Sequence, residues 1–297
     1  MSVNVGPQGP VAIWSSERGE EDLRQHDVQE GGASFPRSRP SDEPSVALTA
    51  YSAPGAPTVV VAVEQLPFAF PQLQLLPSGT FLVVGSRCYW HEGGPEENAV
   101  VYADDGRELR RGTLGDGIEH VMVDVAGRIW TGYFDEGVFG NYGWGAPYGP
   151  EPLGAPGIVA WTPQFEQSWA LEPSGGLVSD CYALNVADNA TWACPYTDFP
   201  VLRIMGKTVQ TWATEGLSGP RGIIAHGDRV ALIGTYDDPS EFVLGRLGDR
   251  HFVEERRGNL WAPDGTVLPK SAIHCVGSVA HFFADRKWFS FDLRAVD

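Results

Sequence analysis

The chain has 297 residues, room for one large all-β domain or two smaller domains. Lys and Arg total 21 against 38 Asp and Glu, a net charge of −17; that sign excludes a generic binder of phosphate backbones and a protein that docks on anionic lipid. Ten Trp, nine Tyr and fourteen Phe against three Met indicate packed sheet rather than a helical bundle.

The first ten residues have neither a basic nor an apolar targeting stretch. The most apolar runs, 58–63 and 81–84, are strand-length, against the roughly 20 residues of a membrane span. The expectation is a cytoplasmic protein with no membrane partner. Residues 15–30 are dominated by charged side chains, and 31–45 by Gly, Pro and Ser, so residues 1–44 are expected to be largely irregular. Residues 45–297 are expected to form a single β domain. There, short alternating apolar runs are punctuated by turns such as Pro77-Ser78-Gly79, Asp104-Asp105-Gly106 and Pro263-Asp264-Gly265.

Five segments stack on one pattern of strand, tight turn and strand: 70–85, 118–132, 180–194, 221–234 and 272–284. A further strand or two follows each of the first four, and the spacing suits four-stranded propeller blades. The stretch Asp124-Val125-Ala126-Gly127-Arg128-Ile129-Trp130-Thr131-Gly132 resembles the repeat core of two-component-regulator and NHL-type propellers. Residues 132–145, with Phe134, Asp135, Glu136, Tyr142 and Trp144, resemble a stretch of an uncharacterised bacterial, chiefly actinobacterial, propeller family. These resemblances imply a propeller and no particular activity. The fold expected is all-β, a five-bladed β-propeller with six blades as the alternative. Only one strand follows the fifth segment, so strands within 45–64 are expected to complete the C-terminal blade and remove its open edge.

In a propeller, the first strand of each blade lines the channel. The expected mouth residues are Gln72, Glu119, His120, Asp180, Tyr182, Arg221 and Ser271. Loops 87–97, 133–155, 196–199 and 236–242 should overhang them. Acids follow the small residues Gly132, Cys194 and Gly234 at similar offsets: Asp135 and Glu136, Asp198, and Asp237 with Asp238. Each set travels with an aromatic, Phe134, Tyr196 or Tyr236. Some of these acids are expected to serve only their own turns, and Asp124 to brace the turn at Ala126-Gly127. Loop 133–155 carries five aromatics, too many for a disordered segment, and is expected to pack over the mouth with Trp144 in a pocket wall.

No nucleophile elbow, zinc-protease, phosphate-loop or EF-hand motif occurs, and Cys88, Cys181, Cys194 and Cys275 are expected to be reduced. The leading function is a monomeric binding module, sensor or scaffold, that takes a small polar or cationic ligand or a protein partner at an acidic, aromatic mouth. The alternative is a hydrolase or lyase for a small or sugar-like substrate, centred on Glu119, His120, Asp180 and Arg221. No cofactor is expected, although the acids leave the mouth open to a divalent cation; nucleic acid is not an expected partner.

Overall fold

The computed structural model describes residues 1–28, 31–172, 178–187, 189–268, 272–284 and 287–296. The chain divides into two compact units, Met1–Ala170 and Leu171–Asp297.

In the first unit, β1 (Ser2–Gly6) and β2 (Gly9–Trp14) form a hairpin, followed by the short helix α1 (Glu17–Asp22) and the small hairpin β3 (His26–Val28) and β4 (Ser34–Pro36). The chain then returns to β2 with β5 (Val46–Ala53) and β6 (Ala56–Val63), giving a first blade ordered β1-β2-β5-β6. The second blade contains β7 (Pro71–Leu75), β8 (Phe81–Gly85), β11 (Ala99–Tyr102) and β12 (Glu108–Gly112), with the two-residue strands β9 (Trp90–His91) and β10 (Gly94–Pro95) in its long central loop. The third is β13 (Ile118–Val123), β14 (Ile129–Tyr133), β15 (Ile158–Trp161) and β16 (Gln167–Ala170), with the one-turn helix α2 (Asp135–Phe139) after β14.

The second unit repeats this plan. Its blades are β17 (Asp180–Val186), β18 (Thr191–Tyr196), β19 (Val201–Met205) and β20 (Thr208–Trp212), then β21 (Gly222–His226), β22 (Arg229–Ile233), β23 (Glu241–Leu247) and β24 (Phe252–Asn259). The last is β25 (Ala272–Val276), β26 (Val279–Ala284) and β27 (Lys287–Asp292), three strands among the described residues. The fold is an all-β, six-bladed β-propeller.

Local sequence explains these elements. Phe81-Leu82-Val83-Val84 is an unbroken apolar run because β8 is buried on both faces. Phe81 and Val83 pack with Leu48, Val61 and Leu73 on one side, whereas Leu82 and Val84 pack with Val121, Ile129 and Val159 on the other. Trp192, Cys194 and Val201 meet Ile223, Leu232 and Val243 in the second unit, and Ile224, Ala231 and Ile233 meet Ala280 and Phe282. The β13–β14 turn is braced by Asp124: its Oδ1 accepts from the amides of Ala126 at 3.0 Å and Arg128 at 2.9 Å, and Gly127 takes φ +87°.

The structure corrects three expectations. There are six blades rather than five, because residues 2–14 are strands and start a blade of their own. Strands 46–53 and 56–63 do not join the C-terminal blade; they pair with β2 in the first sheet, Val11 opposite Ala50 and Ile13 opposite Leu48. The boundary at residue 44 also fails, since the first blade runs across it. The physical reason is the shortness of β1 and β2, whose alternating Val3, Val5, Val11 and Ile13 are interrupted by a Gly-Pro-Gln-Gly turn and followed by a charged insertion. That insertion, 15–45, is the loop between the second and third strands of its blade.

Candidate functional site

In the first unit the three loops that join second to third strands, 15–45, 86–98 and 134–157, interlock. The Tyr142 hydroxyl donates to the Pro36 carbonyl at 2.5 Å, and the Trp90 amide to the Tyr142 carbonyl at 2.8 Å. Trp144 Nε1 donates to the Cys88 carbonyl at 2.8 Å. Trp144 is only 5% exposed, so it is a post inside the assembled loops and not the pocket wall expected of it. Loop 133–155 is ordered, and its surface rings are Phe139 and Tyr148.

At the centre of these loops is Arg87, which is buried. Its Nε and Nη2 donate to the two Asp116 oxygens at 3.0 and 2.9 Å, and Nη2 lies 2.5 Å from Glu136 Oε2. The guanidinium sits 4.0 Å from the Tyr142 ring centre and 5.2 Å from that of Phe134. Burial pushes the Asp116 carboxyl up to about 7, against the pull of Arg87 and the Cys88 and Gly117 amides. Glu136 and Phe134 are therefore tied into this node, while Asp135 is exposed and its Oδ1 accepts from the Glu136 amide at 2.8 Å.

Gln72, Glu119 and His120 come together at the β7–β13 junction. Gln72 is committed to the backbone: Nε2 donates to the carbonyls of Ile118 and Glu119, both at 3.1 Å, and Oε1 accepts from the Val121 amide at 3.0 Å. Glu119 sits at a bulge between the paired residues Ile118 and His120, and is exposed. His120 Nε2 is buried without a hydrogen-bond partner among the described residues.

The second unit gathers a different group. Four rings, Tyr182, Tyr196, Phe199 and Tyr236, lie with centroids 5.2–6.3 Å apart. The Tyr236 hydroxyl donates to that of Tyr182 at 2.9 Å. Burial pushes the Tyr182 phenol up, and Tyr236 and Asp180 push it further. Asp198 and Phe199 take φ +65° and +50°, a conformation that costs non-glycine residues about 1–3 kcal/mol each. Thr214 Oγ1 holds the turn by donating to both their carbonyls, at 3.0 and 2.9 Å. Gly219 lies against the Tyr236 ring where any Cβ would collide with it. Asp198 and Asp237 are exposed in the loops that carry Tyr196 and Tyr236. Arg221 immediately precedes β21 and has an exposed side chain that makes no hydrogen bond among the described residues, and Ser271 lies outside them. Asp238 serves its own turn, accepting from the Ser240 amide at 2.8 Å and from Asn259 Nδ2 at 2.5 Å.

Sequence reasoning missed Arg87, Asp116, Tyr89 and Phe199. Asp116 had a signal, standing between Gly115 and Gly117 with φ +93° and +67°, whereas the others depend on contacts remote in sequence. No group of three or more metal-ligating side chains occurs among the described residues. Cys88, Cys194 and Cys275 are buried thiols; burial raises all three, Cys275 to about 12, which leaves them unreactive. No described helix is long and apolar enough to cross a membrane.

The class these observations define is a six-bladed β-propeller with long loops between the second and third strands of its first three blades. No protein-family model matches the chain, and no curated protein matches it. Solved structures similar to it include BamB from Moraxella catarrhalis, at 14% identity over 98% of this chain and 85% of that chain, TM-score 0.46. A functionally unknown protein from Desulfotomaculum acetoxidans is similar at 9% identity over 95% and 92%, TM-score 0.49. A protein of unknown function from Bacteroides caccae is similar at 11% identity over 85% and 88%, TM-score 0.42.

Proposed function

We propose that the protein is a binding module of the sensor or scaffold kind that takes a cationic ligand at the Tyr182, Tyr196, Phe199 and Tyr236 cluster. The observation that carries this reading is the exposure of two of its rings, Tyr196 and Tyr236, on a base formed by the buried Phe199 and the half-buried Tyr182. Four packed rings would ordinarily be hidden, yet Tyr196 is 42% and Tyr236 49% exposed. The face of an aromatic ring carries negative charge and attracts a cation, most strongly where water is excluded. Asp180, Asp198 and Asp237 add formal negative charge on the same strands and loops, and the net charge of −17 raises the local concentration of cations. The hydroxyl pair, the strained turn and the Gly219 contact hold the rings in one arrangement, which lowers the cost of binding.

The test is titration with tetramethylammonium, choline and arginine, followed through the tyrosine ring resonances. Saturable shifts at Tyr196 and Tyr236, lost in Tyr236→Ala, support the reading. Shifts confined to other residues, or none, overturn it.

A second reading, a hydrolase or lyase, has one observation in its favour: the unpartnered His120 Nε2 beside exposed Glu119. A panel of chromogenic esters and glycosides checks it. Turnover abolished in His120→Gln supports that reading, and no turnover removes it.

A further inference from the structure

Among the interlocked loops of the first unit is a cleft of about 370 Å³, lined by Asp27 and Arg37 to Arg39 from the 15–45 insertion and by Tyr89, His91 and Glu96 from the second blade. From it we infer a second binding site, made of residues other than the tyrosine cluster, for a neutral polyhydroxylated ligand: a sugar of one or two rings.

The charges argue for neutrality. Arg37 Nε is 2.6 Å from Asp27 Oδ1, and Arg39 Nε 3.5 Å from Glu96 Oε1. Two cations and two anions cancel, so the cleft favours neither an anion nor a cation. This is a local exception in a strongly acidic chain. Arg37 is further engaged through Nη1, which donates to Gln25 Oε1 at 3.3 Å and to Ser41 Oγ, so the hydrogen-bonding capacity to spare lies chiefly with Arg39, Tyr89, His91 and the free lone pairs of the carboxylates. A guanidinium offers parallel donors and a carboxylate parallel acceptors. Adjacent sugar hydroxyls, each a donor and an acceptor, satisfy both kinds. The Tyr89 hydroxyl hydrogen-bonds to no described residue. His91 Nε2 lies 3.8 Å from Glu96, beyond hydrogen-bond range, and among the described residues Arg39 is held only by its long contact with the same carboxylate.

The aromatic pair supplies the apolar half of the recognition. The Tyr89 and His91 rings are stacked, 12° apart with centroids separated by 5.7 Å, so the exposed His91 ring is the one whose outer face is available to the C–H face of a sugar ring. The platform is rigid. Tyr142 packs edge-on against Tyr89 at 4.3 Å. Glu96 Oε2 accepts from the Tyr89 amide at 3.0 Å, and the Glu96 amide donates to the Tyr89 carbonyl at 2.8 Å. The volume lies within the range of small-molecule sites, about 300–1,000 Å³, and the geometry exists before any ligand arrives.

The experiment is calorimetric titration of the full chain with a panel of hexoses and their α- and β-linked disaccharides, with inorganic phosphate and arginine as charged controls. At least one sugar is expected to bind saturably. His91→Ala and Arg39→Ala are each expected to weaken it by about tenfold or more, without loss of fold, because their side chains are 61% and 39% exposed. Tyr236→Ala should leave this affinity unchanged, so the site stands or falls separately from the proposed cation site. No binding by any sugar, or binding indifferent to both cleft variants, overturns the inference; so does phosphate or arginine binding that the two cleft variants abolish and Tyr236→Ala leaves intact.

Discussion

Arg87 shows how much one residue carries. Removing its guanidinium leaves Asp116 buried without its partner, and breaking such a pair costs about 3–5 kcal/mol. Arg87→Met is therefore expected to lower the melting temperature sharply, and adding Asp116→Leu to recover part of the loss; an additive double mutant would show that the two do not act as a pair. Trp144→Ala belongs with it: loss of a buried indole and its bond to the Cys88 carbonyl should cost about 3–5 kcal/mol, measured by chemical unfolding. His281 sets a pH dependence. Its Nδ1 accepts from Trp288 Nε1 at 3.0 Å, and burial holds the imidazole below its usual 6.5. The folded state therefore resists a proton that the unfolded chain accepts. The contribution is complete above pH 6.5 and is lost as pH falls from there through the lower folded value. Wild type should lose more melting temperature between pH 7.5 and 5 than His281→Gln, and equal losses would count against this.

At the scale of elements, the first blade is the informative case. β1 and β2 supply Val5, Val11 and Ile13 to its core, and β5 pairs directly with β2. Deleting residues 1–14 strips two of four strands and bares the edge of β5, so soluble, monodisperse protein should not be recovered; a folded truncation by gel filtration and circular dichroism would contradict the topology. The loops behave as one element. Gly143 takes φ +88°, and a Cβ there would strike the Trp90 carbonyl. Gly143→Ala is expected to loosen 86–98 and 134–157 together, read as faster amide exchange in both, with the blades retained.

For the whole molecule, charge dominates. A net charge of −17 repels itself in the compact state, while exposed pairs such as Arg246 with Asp228 are screened by solvent and contribute little. Screening should therefore help more than it harms. Raising salt from about 10 to 150 mM, which shortens the screening length to about 8 Å, is expected to raise the melting temperature by a few degrees; a fall would mean that ion pairs outweigh the repulsion.

The all-β propeller class was legible in the sequence because it rests on local chemistry. Alternation, an apolar run where a strand is buried on both faces, and turns such as the one Asp124 braces are settled within a few residues. That Tyr196 and Tyr236 fall at the same place in their blades was legible for the same reason, through their fixed offset from a repeat's small residue. Only the tertiary structure decided the number of blades, because whether β5 and β6 pair with β2 or with the last blade is a choice between edges remote in sequence that local pattern does not rank. It also decided that Trp144 is buried, that Gln72 is spent on backbone carbonyls, and that residues 27–39 and 89–96 share a cleft. Those outcomes depend on which loops meet, and that follows from the packing of whole blades rather than from any segment's own preference.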